Sequence, residues 1–289
     1  MNMSVHSTTA VVPLPQEVPF ASSKYATIPL KVLLEVPPPS FRNEQLTSMY
    51  DRLTQHGEAF ENASLDAAAY VCRRVGREDD RLQQTVKDIV NCSYNAHYLH
   101  DQLTFEDIAT DSHKKTEVFI ITQQMEGVLL PLVSVRVLVD KELDCFEIFS
   151  KSSVQKRAAE FSRFAYHPLL DVPASELDEQ TRKRLDFHKR HLFRILLRGA
   201  FRFLKSRKFQ TSYLIMPPHV KRYMDGCGFR LTDMPESHLL PSTSHDAVRR
   251  AFYKYWRPES PVHEQPAVYN LDFRIKPLMK MVSGQRIYL

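Results

Sequence analysis

The chain has 289 residues, 43% of them hydrophobic and 25% charged, with a formal net charge of +5. These are globular values that exclude wholesale disorder and suit one large or two modest domains, and no apolar run reaches the roughly eighteen residues of a membrane-spanning helix. Cys72, Cys92, Cys145 and Cys227 share no C-x-x-C spacing, which argues against a zinc ribbon or a disulfide scaffold and for reduced thiols.

Residues 1–40 hold seven of the eighteen prolines and show no helical period, so a flexible Pro-rich arm is expected there. Within it, Ile28 to Val36 is apolar enough to add an edge strand or to pack on the body. The N-terminus has no basic stretch leading into an apolar core, so a secretory signal is not expected and a cytoplasmic location is. From Ser40 to Leu103 the spacing predicts three helices. One starts at Ser40 and runs through Leu53, one starts at Ser64 and runs through Val71, and one runs from about Asp80 to Tyr98.

The pattern then changes to strands. Glu117–Gln123 and Leu129–Val139 are rich in β-branched residues with Glu126-Gly127 between them, which predicts a hairpin. Ala158–His167 is a further strand, Leu185–Leu204 a long helix, and Thr211–Met216 a buried strand stopped by Pro217-Pro218. A short helix over Val220–Met224 leads through Gly226-Cys227-Gly228-Phe229 into a last strand. An amphipathic helix follows over about His245–Trp256, with a tail behind it. The order predicts an α+β (α/β) sandwich: residues 41–240 form one domain with an N-terminal helical extension, and residues 241–289 a C-terminal helix and tail packed on it. No internal repeat is visible.

Three features carry candidate chemistry. In Glu160-Phe161-Ser162-Arg163-Phe164, a carboxylate and a guanidinium stand three apart in a strand, which is costly in a core unless each is paired or used. A structural ion pair or an exposed edge strand would account for them equally well. The second feature is Pro217-Pro218-His219-Val220-Lys221-Arg222-Tyr223, closing at Gly228-Phe229. The third is charge. Eleven Lys or Arg lie between Arg182 and Lys208, with Asp186 the one acid among them. Arg190, Arg194, Arg198 and Arg202 recur every four residues along the long helix, and Arg249, Arg250, Lys254 and Arg257 form a second cluster. Such stripes are commonly solvated helix faces.

None of the seven glycines belongs to a G-x-G-x-x-G or G-K-[ST] loop, so dinucleotide folds and P-loops are poor candidates. The pairs His97/His100 and His188/His191 have helix-face spacing, yet no third ligand follows at a motif spacing, and no metal is expected. Aromatic residues are not interleaved with the basic ones and no nucleic-acid-binding motif is present, so no nucleic acid is expected as a partner.

A strand, a proline stop, a short basic helix and a Gly-Phe entry to a strand resembles the closing unit of the GNAT acyltransferase fold. There, splayed parallel strands leave a slot for an acyl-pantetheine arm. Together with Glu160-Phe161-Ser162-Arg163-Phe164, the chain over residues 80–232 resembles the autoinducer-synthase branch of that fold. This branch includes N-acyl homoserine lactone synthases and long-chain N-acyl amino acid synthases. The order Asp107, Asp111, Arg136, Glu160, Arg163 matches the branch, although Asp107 and Asp111 are further apart than its pattern and the chain is longer than a lactone synthase.

The resemblance implies a bacterial N-acyltransferase that moves a fatty acyl group from a thioester to the α-amine of an amino acid, with no tightly bound cofactor. Glu160 would be the general base and Arg163 would hold the strand and its acidic neighbours. Tyr223, one residue further upstream than in relatives, would be the third catalytic group. Asp107, Asp111, Arg136, Ser162 and Phe164 would bind the acceptor, with Arg136 paired to Asp107 or Asp111. Phe193, Leu197 and Phe201 would line the acyl chain. An oxyanion site would lie in the backbone of Phe164 to Tyr166. The Q/R-x-x-G-x-G/A pyrophosphate loop of acetyl-CoA enzymes is missing, since Arg198-Gly199-Ala200 falls inside a helix. Acyl carrier protein is therefore favoured over CoA as donor, and Arg190, Arg194, Arg198 and Arg202 would dock that acidic partner. A lactone-type synthase or an exosortase-associated acyltransferase shares the fold. From another class stands a non-catalytic binder of carrier protein or nucleic acid.

Overall fold

The computed structural model describes residues 25–39, 41–55, 60–76, 78–96, 115–150, 157–241, 252–253 and 265–272. It is a mixed α+β fold whose centre is a seven-stranded sheet in the order β3-β4-β5-β6-β7-β9-β8. The strands are β3 (Val71–Val75), β4 (Thr116–Met125), β5 (Val128–Leu138), β6 (Ala158–Tyr166), β7 (Thr211–Met216), β8 (Thr232–Asp233) and β9 (Ala267–Asp272). Neighbouring strands are antiparallel except β6 and β7, which are parallel. A separate ribbon pairs β1 (Thr27–Pro29) with β2 (Ser64–Asp66), placing Ile28 opposite Leu65 with both side chains buried.

The α-helices among the described residues are α1 (Leu30–Leu34), α2 (Glu44–Thr54), α3 (Asp80–Tyr94), α4 (Cys145–Ile148), α5 (Glu179–Ser206) and α6 (Pro218–Gly226). Each long helix starts where an Asx side chain takes up orphan amides. Asn43 accepts from Gln45 N–H at α2, Asp79 from Leu82 N–H at α3, and Asp178 from Gln180 and Thr181 N–H at α5. The β4–β5 hairpin turns through Glu126 (φ 43°) and Gly127 (φ 86°), the double positive φ of a two-residue turn that follows strand twist.

The two faces of the sheet have different covers. Phe119, Ile121, Phe161 and Leu214 share a core with α5 residues Leu192, Leu196, Leu197 and Ala200. On the other face, Leu53 of α2 and Ile89, Val90 and Cys92 of α3 pack on Ile120 and Ala165. Further along that face, Leu138, Ala158, Tyr213 and Val268 are covered by Leu143, Ile148, Phe149 and Phe252.

Two expectations, one near the N-terminus and one in the C-terminal tail, meet a different structure. Ser64–Val71, read as a helix, is instead β2, a 3-10 turn over Ala67–Ala69, and the start of β3. Tertiary pairing decides this, because Val71–Val75 forms a ladder with Val118–Thr122 of β4. The apolar stretch of the N-terminal arm does pack on the body, with Ile28, Leu30 and Leu33 as core residues. In the C-terminal tail, Ala267–Asp272 forms β9, an interior strand between β7 and β8. Most of the segment read as a C-terminal helix, with Arg249, Arg250, Lys254 and Arg257, lies outside the described residues. No helix among the described residues is long and apolar enough to cross a membrane.

The approach of α5 to β3 depends on Gly199, where a Cβ would collide with the Cys72 sulfur. Gly to Ala inside an exposed helix stabilises by about 1 kcal/mol. Here Gly199→Ala should instead destabilise, by roughly 1–3 kcal/mol as overpacking does. Denaturant midpoints test this, with Cys72→Ala expected to recover most of the loss in the double variant.

Candidate active site

The functional geometry begins where a strand pair fails. β6 and β7 are paired from Ala158–Thr211 to Phe161–Leu214, yet β6 continues to Tyr166 and β7 to Met216. The cause lies in β6. Ser134 of β5 stands opposite Ala165 and Arg136 opposite Ser162, so three steps on β6 match two on β5. Arg163, with φ of 52°, sits at this bulge. A bulge bends its strand and resets its phase. Phe161 faces α5 whereas Ala165, four residues on, faces α3. β7 in turn is stopped by Pro217, which cannot donate to a ladder, and Pro218 opens α6.

The two strands therefore splay into a wedge around a cavity of about 350 Å3. Its walls come from both layers: Ser93 and Tyr94 of α3 on one side, Phe193 and Leu197 of α5 on the other. The slot thus runs through the sheet, with Phe161 and Leu214 at its narrow end and Tyr166, Pro217, Val220 and Tyr223 toward its wide end. The expected oxyanion backbone at Phe164–Tyr166 adjoins the bulge.

Beside the slot, on the α3 face, lies a buried polar cluster. Arg136 donates through Nε to Ser162 Oγ at 2.7 Å and through Nη2 to Asp144 Oδ2 at 2.7 Å. The Cys145 N–H donates to Glu160 Oε2 at 2.9 Å. Arg136 and Asp144 are each 7% exposed and Glu160 is 3% exposed. Burial first, and Asp144 second, push the Glu160 carboxyl up to about 7, against the opposing pull of Arg136 and the Cys145 N–H. Such a value suits a group that exchanges protons near neutrality.

The expected site residues divide as follows. Ser162, Arg163, Phe164, Phe193, Leu197 and Tyr223 all line the slot. Glu160 lies outside this lining, on the same strand face as Ser162 and near enough to Arg136 to feel its charge. Phe164 packs edge-on against Phe193 and Tyr166, with ring centroids 4.8 and 5.0 Å away. The Tyr223 hydroxyl is buried and makes no hydrogen bond among the described residues. Burial and then Cys227 raise its pKa, with Tyr166 and Arg190 opposing.

Phe201 packs edge-on against Phe161 and Phe229, with ring centroids 5.1 and 5.8 Å away, beside the α5 core and outside the slot lining. Asp107 and Asp111 lie outside the described residues. Among the described residues the carboxylate on Arg136 is Asp144, which sequence reasoning missed because Lys141–Asp144 has the pattern of an ordinary polar loop.

Also missed is a charged group at the wide end. Lys189 Nζ is 3.0 Å from Asp171 Oδ1, Ser93 Oγ donates to Asp171 Oδ2, and Lys189 stands over the Tyr166 ring at 4.8 Å. Tyr166 donates its hydroxyl proton to the Lys189 carbonyl. Nothing in the sequence separates Lys189 from its basic neighbours.

Of the arginine stripe, Arg190 is exposed, whereas Arg194, Arg198 and Arg202 are half-buried. A four-residue repeat drifts by about 40° per step on a helix of 3.6 residues per turn, which turns its later members toward the body. Burial and then Arg202 lower the Arg198 pKa. His188 is fully buried and hydrogen-bonded to the Tyr70 hydroxyl. His97 and His100 lie outside the described residues. Among those described, no three His, Cys, Asp or Glu side chains could hold a metal.

No family model matches the chain, and no curated protein matches it. Solved structures similar to it include FeeM, an N-acyl amino acid synthase from uncultured soil microbes, at 13% identity and a TM-score of 0.40, over 71% of this chain and 90% of that one. The AHL synthase LasI is similar at 10% identity and a TM-score of 0.36, over 70% of this chain and 88% of LasI. An acetyltransferase from Streptococcus agalactiae is similar at 13% identity and a TM-score of 0.37, over 71% of this chain and 99% of that one. At these scores the likeness leaves function to be carried by the geometry of the slot.

Proposed function

We propose that the protein is an N-acyltransferase that moves a fatty acyl group from a carrier-protein thioester to the α-amine of an amino acid. One observation carries this reading: a through-sheet slot between two splayed parallel strands, bulged at Arg163, beside a buried carboxyl poised near neutral pH. An extended acyl-thioester arm fits such a wedge because the strand edges beyond Phe161 offer backbone groups along its length.

The reaction forms a C–N bond and breaks a C–S bond. An α-amine has a pKa near 7.7–8.0 in peptides, so a large share is protonated at neutral pH and a proton must leave for it to attack. Glu160 takes that proton, directly or through a water, and its raised pKa matches the task. Arg136 and Asp144 hold the strand and the carboxyl in register. The tetrahedral oxyanion is met by backbone amides at the bulge. As the tetrahedral intermediate collapses, the amine's second proton passes to the departing sulfur, which needs no strong acid. The Tyr223 hydroxyl, which lines the slot and keeps its proton at neutral pH, hydrogen-bonds that sulfur.

A carrier-protein donor fits the position of α5 better than a nucleotide donor. The orphan amides at a helix N-terminus are what would hold a pyrophosphate. Here Asp178 already accepts from two of them, and Lys189, where α5 meets the slot, lies ten residues past Glu179. That is about 15 Å along the helix at 1.5 Å per residue.

The decisive assay is mass spectrometry of products from purified protein, carrier proteins loaded with different fatty acyl chains, the common amino acids and S-adenosylmethionine. The expected product is an N-acyl amino acid, reduced by a factor on the order of 10²–10⁴ in Glu160→Gln. An acyl lactone would replace the acceptor, and no acylated product from any donor would overturn the reading. The pH profile is a separate check. With the acceptor counted as its ammonium form, kcat/KM should rise about tenfold per pH unit below about 7 and level off above, because only ionised Glu160 accepts the ammonium proton. Asp144 raises the Glu160 pKa, so Asp144→Asn should move that break to lower pH. A break unmoved by Asp144→Asn and still present in Glu160→Gln would place the base elsewhere.

A further inference from the structure

The wide end of the slot carries a charged group that the acyl-transfer chemistry leaves unused. The slot lining is mostly apolar, yet it contains Lys189 and Asp171 at 3.0 Å from each other, 23% and 16% exposed at their side chains. A partly buried ion pair costs desolvation that its attraction barely offsets, so its stability gain is small. Its position is specific. Lys189 stands over Tyr166, the last residue of β6, five residues beyond the final β6–β7 pair at Phe161. It therefore marks the mouth of the wedge and not its apex. Arg190, next in sequence and exposed, lies within electrostatic reach of Tyr223 on the opposite wall. Among the described residues, Lys189 and Arg190 thus bring cationic charge to the mouth beside Asp171, which suits an incoming anion.

On the acyl-thioester reading above, the donor enters through this mouth with its thioester inward. A pantetheine arm attached to a carrier protein then presents its phosphodiester, a single negative charge, outside the thioester and nearer the mouth. We propose that Lys189, with Arg190 beside it, receives the phosphodiester of a phosphopantetheine arm at the wide end of the slot. It takes the place of the helix N-terminal amides that would hold a nucleotide pyrophosphate. Asp171, itself hydrogen-bonded by Ser93, fixes the ammonium at the mouth, over the Tyr166 ring. The group is a binding device for the donor and takes no part in proton transfer.

Calorimetric titration of the full chain with two compounds of equal acyl length, acyl-4′-phosphopantetheine and acyl-pantetheine, tests this without relying on turnover. The phosphorylated compound should bind on the order of tenfold more tightly, as a charge-assisted contact predicts. That preference should fall to near one in Lys189→Met and return in Lys189→Arg. Equal affinities in the wild-type protein, or a preference that survives Lys189→Met, would overturn the assignment, and so would absence of binding by both compounds. If Lys189→Met fails to fold, the wild-type ratio and Lys189→Arg decide alone. A Lys189→Met variant that keeps the phosphate preference but raises KM for the amino acid would make Lys189 an acceptor-carboxylate site, against the proposal. Loss of all acyl transfer with the phosphate preference intact would sink the enzymatic reading and leave the anion site standing.

Discussion

The site depends on a single failed ladder. Parallel strands in the middle of a sheet normally stay paired, since each orphaned backbone group in a core costs what a lost hydrogen bond costs. β6 and β7 give up that pairing after Phe161 and Leu214. The bulge at Arg163 on one strand and Pro217 at the end of the other make the parting obligatory. Such a gap is tolerable where the exposed backbone is meant to meet a ligand. The rest of the fold steadies this defect. β5 is held on both sides, α5 seals one face with aromatic residues, and α3 closes the other.

The buried charges follow from the same constraint. Arg136 pairs across the sheet with Val118 on one side and Ser162 on the other, so its guanidinium is inside the sheet layer and needs an anion there. Asp144, on the turn entering α4, supplies it. Glu160 is then the second carboxylate near one cation, and both cannot keep their charge cheaply in a dry environment. The proton therefore stays on Glu160 up to about pH 7, and the Cys145 N–H keeps its carboxyl group aimed. The site's proton affinity is set by burial first and by Asp144 second, with Arg136 and the Cys145 N–H opposing.

Much of the fold was legible because strong local signals agreed with tertiary demand. The β-branched runs gave β4 and β5, Thr211–Met216 gave β7 at its observed bounds, and the Leu185–Leu204 run gave most of α5, though not its start at Glu179. Gly228, at φ of 93°, ends α6 as the Gly-Phe motif implied, with the Phe229 N–H returning to the Met224 carbonyl. What was not legible depends on pairing and phase. Ala67–Ala69 and Val71 satisfy a helical pattern, and only the β4 edge makes β3 of the latter. Strict alternation puts Phe161 and Arg163 on one face, which the bulge undoes. Asp144 and Lys189 carry no motif, because their importance comes from which strand end and which arginine they meet.

The slot also separates two tasks between the faces of one sheet. On the α5 face, Phe193 and Leu197 offer surfaces with no polar atoms, suited to an alkyl chain and indifferent to its charge state. On the α3 face, Arg136, Asp144, Glu160 and Ser162 form a network in which moving one proton alters every neighbour's energy. A reaction that joins an apolar donor to a polar acceptor needs both environments within a bond length of each other. A slot confined to one layer would give only one of them. A strand pair that opens partway along its length brings the two together at the point of splaying, so the bulge sets the position of the chemistry as well as the shape of the cavity.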